Sequence, residues 1–276
     1  MTISASDVKR LREITGVGMM DCKAALIEAN GDFEQAIEIL RKKGQKVAAK
    51  RADRDAKEGL IGAATSDDRR TGVLVEVNSE TDFVARNAEF TGFVQEVAEL
   101  ALRERPADID ALRALPLASG RTVEETVSDL TGKIGEKIDV RRVAVVQAQD
   151  GEIVAYIHPG AKLGVLVEVA GSNGLQDAGR DVAMQAAAMN PVSTRREDVP
   201  AEITEKELEI GREVARNEGK PEAMLDRIAT GKLERYFKDN VLLEQPFVKD
   251  SSVSVSQMLR QRGVDLRRFV RFALGD

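Results

Sequence analysis

A nucleophile needs a base beside it, and this chain of 276 residues holds one histidine, His158, and one cysteine, Cys22. Any Ser/His or Cys/His pairing would have to run through His158, and neither a His-rich nor a thiolate metal cage can be assembled. His158 lies in YIHPG, a turn between two apolar runs and a solvated place rather than a cleft. Cys22, beside Ala24, Ala25 and Leu26, reads as a small helix-packing residue. No GxxxxGK(S/T) phosphate loop is present, and Gly16, Gly18 and Gly31 do not follow a strand as a dinucleotide fingerprint requires. With 47 Asp and Glu, close carboxylate pairs arise by chance and carry little weight as acid/base candidates. The expectation is a chain that is not an enzyme and that binds no cofactor or metal of its own, so its work is done on a partner.

The positive signal is a difference between two copies of one strand. GLIGAATSDDRRTGVLVEV at 59–77 aligns without gaps to GEIVAYIHPGAKLGVLVEV at 151–169, with nine of nineteen positions identical. Both read as β-hairpins. A second echo, IDVRRVAVV at 138–146 and VDLRRFVRF at 264–272, shares its Asp and both Arg. Helical spacing lies between, at Glu89 to Arg103 and Val123 to Glu136, then at Asp181 to Met189 and Val255 to Arg262. The expected fold class is α+β: two related subdomains, 59–150 and 151–276, each a small antiparallel sheet with helices on one face. The echoes stand further apart in the second copy, which assigns extra chain to about 201–240. Ile203, Ile210 and Val214 on one stretch and Leu225, Ala229, Leu233 and Phe237 on the next predict an antiparallel helical hairpin there.

Where the second copy leaves its strand through glycines, the first inserts NSETDFVARN. Ser79 and Asp82 are spaced like a capping pair, and Phe83 precedes Phe90 by two helical turns. The pattern leaves two readings open: Phe83 plugs the core beneath the first helical turn, or it is presented to a partner.

Residues 1–43 show three helical stripes, Val8, Leu11, Ile14, then Cys22, Ala25, Leu26, Ala29, then Phe33, Ala36, Ile37, Leu40, broken by TGVG and NGD. Asp7 and Asp32 occupy expected N-cap positions. A unit this small is marginal alone and suits an appended docking module. A basic connector, 44–58, follows. The run 41–57 carries eight Lys and Arg against Asp53 and Asp55. The whole chain is nevertheless acidic, with net charge −6 and a pI near 5.2, and it has no Trp and two Tyr. That argues against direct nucleic-acid binding, which rests on phosphate neutralisation and stacking. No apolar run long enough to cross a membrane and no signal-like N-terminus are present, so the expected address is cytoplasmic.

LREITGVGMMDCKAAL, EVNSETDFVARN, KIGEKIDVRRV, YIHPGAKLGVLVEV, LLEQPFVKD and FVRFALG together resemble the bacterial elongation factor Ts family over essentially the whole chain. The resemblance implies a ubiquitin-associated-like three-helix domain, then two α+β subdomains, the second with a coiled-coil excursion. It implies guanine-nucleotide exchange on the translational GTPase elongation factor Tu, GDP-bound and then nucleotide-free, with a homodimer or a 2:2 complex as the assemblies to expect. Carried onto matching positions, it makes Arg12, Met19, Met20 and Lys23 the N-terminal contacts. Thr81, Asp82 and Phe83 become the active loop with Ile134 and Gly135 nearby, and His158 and Val248 a more distant contact. Lys249 stands where some relatives have a methionine, which predicts a polar rim. The sequence ends at FALGD, without the C-terminal helical module of some members, so that module's contacts are not expected. Outside the exchange reading, a non-exchanging adaptor and an RNA-binding accessory factor using 41–57 remain the other classes.

Overall fold

The computed structural model describes residues 3–276. Its first unit is three helices, α1 (Ala5–Thr15), α2 (Met19–Glu28) and α3 (Phe33–Arg51), closed over Leu11, Cys22, Leu26 and Ala36. Ser4, not Asp7, caps α1: its hydroxyl accepts the Asp7 N–H while the Asp7 carboxylate takes the Ser4 N–H, a reciprocal capping box. Asp32 caps α3 as expected, accepting from Gln35 N–H at 2.9 Å. α3 does not stop near residue 43; it continues through Arg51 into the stretch expected as a connector, because KKGQKVAAK contains one Gly and no Pro to end it.

β1 (Glu58–Thr65), β2 (Thr71–Ser79) and β3 (Ile138–Gln147) form one antiparallel sheet in the order β1-β2-β3. Between β2 and β3 run α4 (Asp82–Ala85), α5 (Ala88–Glu104), α6 (Ile109–Ala114) and α7 (Val123–Ile134). The second sheet joins β4 (Glu152–Ile157), β5 (Leu163–Gly171) and, from the end of the chain, β8 (Val264–Ala273), in the order β4-β5-β8. α8 (Leu175–Met189) follows β5 and begins earlier than the apolar spacing from Asp181 implies. α9 (Ala201–Asn217) and α10 (Leu225–Asn240) make the helical hairpin, and β6 (Pro246–Phe247), β7 (Asp250–Ser254) and α11 (Val255–Arg262) lead back to β8. The mixed helices and small antiparallel sheets are the α+β class read from the repeats. The hairpin seam differs in detail: Ile210 is exposed, and Gly211 with Ala215 faces α10, so that a Cβ on Gly211 would sit 2.9 Å from the Ala229 Cα.

The repeated GVLVEV explains how the halves meet. Val73, Val75 and Val77 point toward the helices of the first subdomain, and Val165, Val167 and Val169 toward those of the second. The alternate residues point the other way, as strand geometry requires. Leu74 and Leu166 join Ile61, Ile153, Val146 and Phe272 in a cluster shared by the two sheets. Gly72 and Gly164 let the sheets approach: a Cβ on Gly72 would lie 2.4 Å from Ile153 Cγ2, and one on Gly164 2.7 Å from Ile61 Cγ2. The third residue on this face is a glutamate, Glu76 or Glu168, almost fully buried.

Each buried glutamate is met by the second arginine of the repeated Arg-Arg. Arg142 pairs with Glu76 across β2 and β3, and Arg268 with Glu168 across β5 and β8 at 2.7 Å. The register shifts just after each glutamate, so the first arginine, Arg141 or Arg267, is the extra residue of a bulge. Each pairing arginine also crosses to the other sheet: Arg142 donates to the Ala273 carbonyl at 2.9 Å, and Arg268 to the Gln147 carbonyl at 2.8 Å. The backbone does likewise. Ile61 N–H donates to Ala161 O at 2.6 Å, and Ile153 N–H to Arg69 O at 2.7 Å. These contacts relate the halves by an approximate two-fold.

Gly72→Ala and Gly164→Ala should each destabilise by about 1–3 kcal/mol through overpacking, read as a lowered denaturant midpoint at unchanged slope. Arg142→Met should cost about 3 kcal/mol by leaving Glu76 buried beside only Arg141, and Glu76→Leu with Arg142→Met should recover much of it. A double variant no more stable than the single would show that the pair is not the source of the loss.

Candidate protein-binding site

Thr81, Asp82 and Phe83 follow β2 in a turn tied down on both sides. Ser79 Oγ donates to Thr81 O at 2.9 Å. The Thr81 N–H and Oγ1 both donate to the Glu136 carboxylate at 3.0 Å. In return the Glu80 carboxylate accepts the Lys137 N–H at 2.7 Å. Two adjacent segments thus each lend a glutamate to the other's backbone. Glu80 also receives Arg51 at 2.8 and 3.0 Å and Arg54 at 3.2 Å. Burial alone would push the Glu80 carboxyl up; the Lys137 N–H and the two guanidiniums outweigh it and hold the group below its ordinary range.

α4 is one helical turn, and its sides are set by 100° steps. Val84 and Ala85 go into the subdomain core, which leaves Phe83 outside, 79% exposed. Phe90 is the fully buried aromatic below it. The core-plug reading of Phe83 is therefore excluded: its ring lies in solvent. Ser79 and Asp82 do not form the capping pair their spacing suggests. Thr81 is the N-cap with its hydroxyl committed to Glu136, and Asp82, half-exposed in the first turn, pairs with Arg86 at 2.7 Å.

Ile134 and Gly135 stand beside this turn. Ile134, half-buried, packs on the first core, and Gly135 at φ +81° ends α7 in the left-handed conformation that sends Glu136 back toward Thr81. The preceding Lys133 pairs with Glu89 at 2.7 Å and abuts the N-terminal module: a Cβ on Gly16 would meet its Nζ at 2.1 Å. The Gly16 turn leads into Met19 and Met20, the latter 75% exposed, with Ile14 also in solvent. Arg12 and Lys23 lie exposed on α1 and α2. The structure therefore brings Thr81 to Phe83 together with Ile134 and Gly135, and seats the methionine-bearing module at the same end of α7. His158 and Val248 are not part of this group. His158 is exposed at the β4–β5 tip, with Tyr156 Oη 2.9 Å from its Nδ1, and Val248, 47% exposed, lies in the β6–β7 turn where its N–H donates to Gln185 Oε1. Lys249 beside it pairs with Asp181 at 2.6 Å, a polar edge.

Glu80, Glu136, Lys137, Arg51 and Arg54 were not singled out by sequence reasoning. The only signal was Glu80 beside Thr81 and Glu136 beside Gly135; the Thr81–Glu136 and Glu80–Lys137 bonds span more than fifty residues, which local spacing does not reveal. A cleft of about 650 Å³ separates the N-terminal module from α7, and six of its charged residues pair with one another, Asp21 with Lys43, Asp129 with Arg121 and Glu89 with Lys133. Among the described residues no group of three or more His, Cys, Asp or Glu is placed to hold a metal ion, and no helix is long and apolar enough to cross a membrane. The site has the makings of a docking surface: apolar side chains in solvent, on turns held by charge-assisted hydrogen bonds.

A sequence model described as elongation factor TS matches residues 80–276. Curated proteins named elongation factor Ts match nearly end to end. The one from Chloroherpeton thalassium is 48% identical over 285 residues, and that from Prosthecochloris aestuarii 50% identical over 284, each alignment covering 99% of both chains. The protein of that name from Cytophaga hutchinsonii is 50% identical over 278 residues with the same coverage. With the duplicated sheets, the presented Phe83 and these matches in hand, the chain belongs to the elongation factor Ts family.

Proposed function

We propose that this chain is the guanine-nucleotide exchange factor of elongation factor Tu, acting by protein contact alone. The observation that carries the reading is Phe83, an aromatic 79% exposed on a turn fixed by Glu80 and Glu136 in a member of this family. Leaving that ring in water forgoes roughly 1.5–3 kcal/mol of burial. A partner's apolar slot recovers it.

A GTPase that holds GDP at nanomolar affinity does so with about 12 kcal/mol, through a phosphate-cradling loop and a magnesium ion. An exchange factor binds the conformation in which that site is deformed, and by linkage each ligand weakens the other equally. Phe83 enters beside the magnesium site and displaces the groups that hold the ion and the phosphates, while Asp82, at the start of α4 and braced by Arg86, keeps the turn in register. One phenylalanine supplies ten- to a hundredfold at most, on the order of 1.5–3 kcal/mol. The remainder of the differential binding comes from other contacts: Met19, Met20, Arg12 and Lys23 on the same partner domain, and His158 and Val248 on a second one. Such spacing fits a buried interface of about 2,000 Å² or more.

The RNA reading loses its main support in the charge pairing of the basic run. Lys42 is engaged by Glu38, Lys43 by Asp21, Arg51 and Arg54 by Glu80, and Lys57 by Asp55, so over half of its eight cations are already paired.

Phe83→Ala should slow factor-stimulated release of fluorescent GDP from elongation factor Tu by about ten- to a hundredfold, with the melting temperature unchanged because the ring is already in solvent. A release rate equal to the wild type would remove Phe83 from the mechanism, and complex formation by the wild-type chain without faster release would favour the adaptor.

A further inference from the structure

We infer that the C-terminal end of α3 is a strut for the Phe83 turn, with Arg51, Arg54 and Glu80 as positioning residues through which the seated N-terminal module fixes the presented ring. The inference rests on the exchange reading for its functional consequence and on geometry for its existence. α3 starts in the N-terminal module and crosses α7 at two glycines: a Cβ on Gly132 would lie 2.3 Å from the Gly44 Cα, so the helices touch backbone to backbone. Beyond that crossing the helix ends against the turn. Arg51 places one guanidinium nitrogen on both oxygens of Glu80, and Arg54 adds a second guanidinium.

The strap closes in both directions. Lys137, whose N–H the same carboxylate accepts, sends its ammonium back to the Ala52 carbonyl at 2.6 Å and the Arg54 carbonyl at 3.0 Å, just beyond the end of α3. The Glu80 side chain is only 14% exposed and Arg51 28%, so that pair is less screened than most surface pairs, while Arg54, 59% exposed, adds the weaker contact. Only Thr81 and Asp82 lie between Glu80 and Phe83, and Thr81 is already held by Glu136. A shift of α3 is therefore transmitted to the ring, which makes the module more than a second contact patch: it sets the position of the first.

The test uses the full chain with Arg51→Ala and Arg54→Ala combined, and separately Arg51→Lys. In the free protein, amide hydrogen exchange at residues 81–84 should quicken about tenfold in the double variant, the scale of one charge-assisted hydrogen bond, with the amides of β2 unchanged. At saturating factor, GDP release from elongation factor Tu should slow by about the same tenfold, with Arg51→Lys between the double variant and the wild type. A purely structural role would lower the melting temperature and leave the saturating rate alone. Turn amides that exchange at the wild-type rate, or a saturating release rate that does not fall, would overturn the inference. Should the wild-type chain itself fail to speed release, the exchange reading falls, and the amide measurement still decides whether α3 holds the turn.

Discussion

Glu76 and Glu168, buried between the two sheets, set the geometry on which the remaining structure depends. A charge taken out of water is costly unless it is paired and hydrogen-bonded. Here the principal partner of each is an arginine whose other nitrogen reaches a carbonyl of the opposite sheet, with Arg141 adding a longer contact to Glu76 and the Gln149 N–H donating to Glu168. A buried pair of this kind adds little net stability over a well-packed apolar substitute. What it does instead is penalise misalignment: a one-residue slip of β3 or β8 would turn Arg142 or Arg268 to the wrong face and strand a charge. The bulge beside each pair locks the same register from the backbone side. The glycines on this face then let the sheets close, and the apolar residues between them fill the gap.

On this two-fold base the additions are not two-fold. The first half carries the Phe83 turn and receives the N-terminal module through α3 and α7, whereas the second half leaves β5 through Gly171 and Gly174 and carries the α9–α10 hairpin. That division has a physical logic. A sheet pair whose register is fixed by buried charge tolerates insertions in the segments that connect its strands and helices, since such segments run over the surface. Function can then be placed in one copy while the other keeps the scaffold.

The scaffold was readable because its determinants are local and repeated: GVLVEV, the Arg-Arg echo, and helical stripes such as Cys22, Ala25, Leu26 and Ala29 that are buried as their spacing requires. Other features were not. α8 starts at Leu175 because a positive-φ glycine, Gly174, opens it without any side-chain cap, so there was no capping residue to read. α6 is six residues long, too short for a period to register. α3 overran its expected end because a basic run gives helix and linker much the same composition. In the site, Phe83 could be located in the sequence but not oriented. Whether a residue on a one-turn helix faces in or out depends on where Val84 and Ala85 pack, and that is decided by Phe90 and β2 rather than by spacing. The glutamates that hold the turn were invisible for the same reason, since both act across the fold.

The small energy of one aromatic ring also explains why the turn is held so firmly. A flexible loop would surrender part of its binding energy to ordering, roughly 0.5–1.5 kcal/mol for each side chain immobilised, which is comparable to what a phenylalanine gains on burial. If Phe83 had to be ordered together with Thr81 and Asp82 at the moment of contact, little would remain to deform a partner's site. With Thr81 tied to Glu136 and Glu80 tied to Lys137 and the end of α3, that cost is met during folding. On the proposed exchange reading, the burial energy of the ring is then free to act on the partner, and the exposed methionines of the N-terminal module stand on a unit seated at the same end of α7.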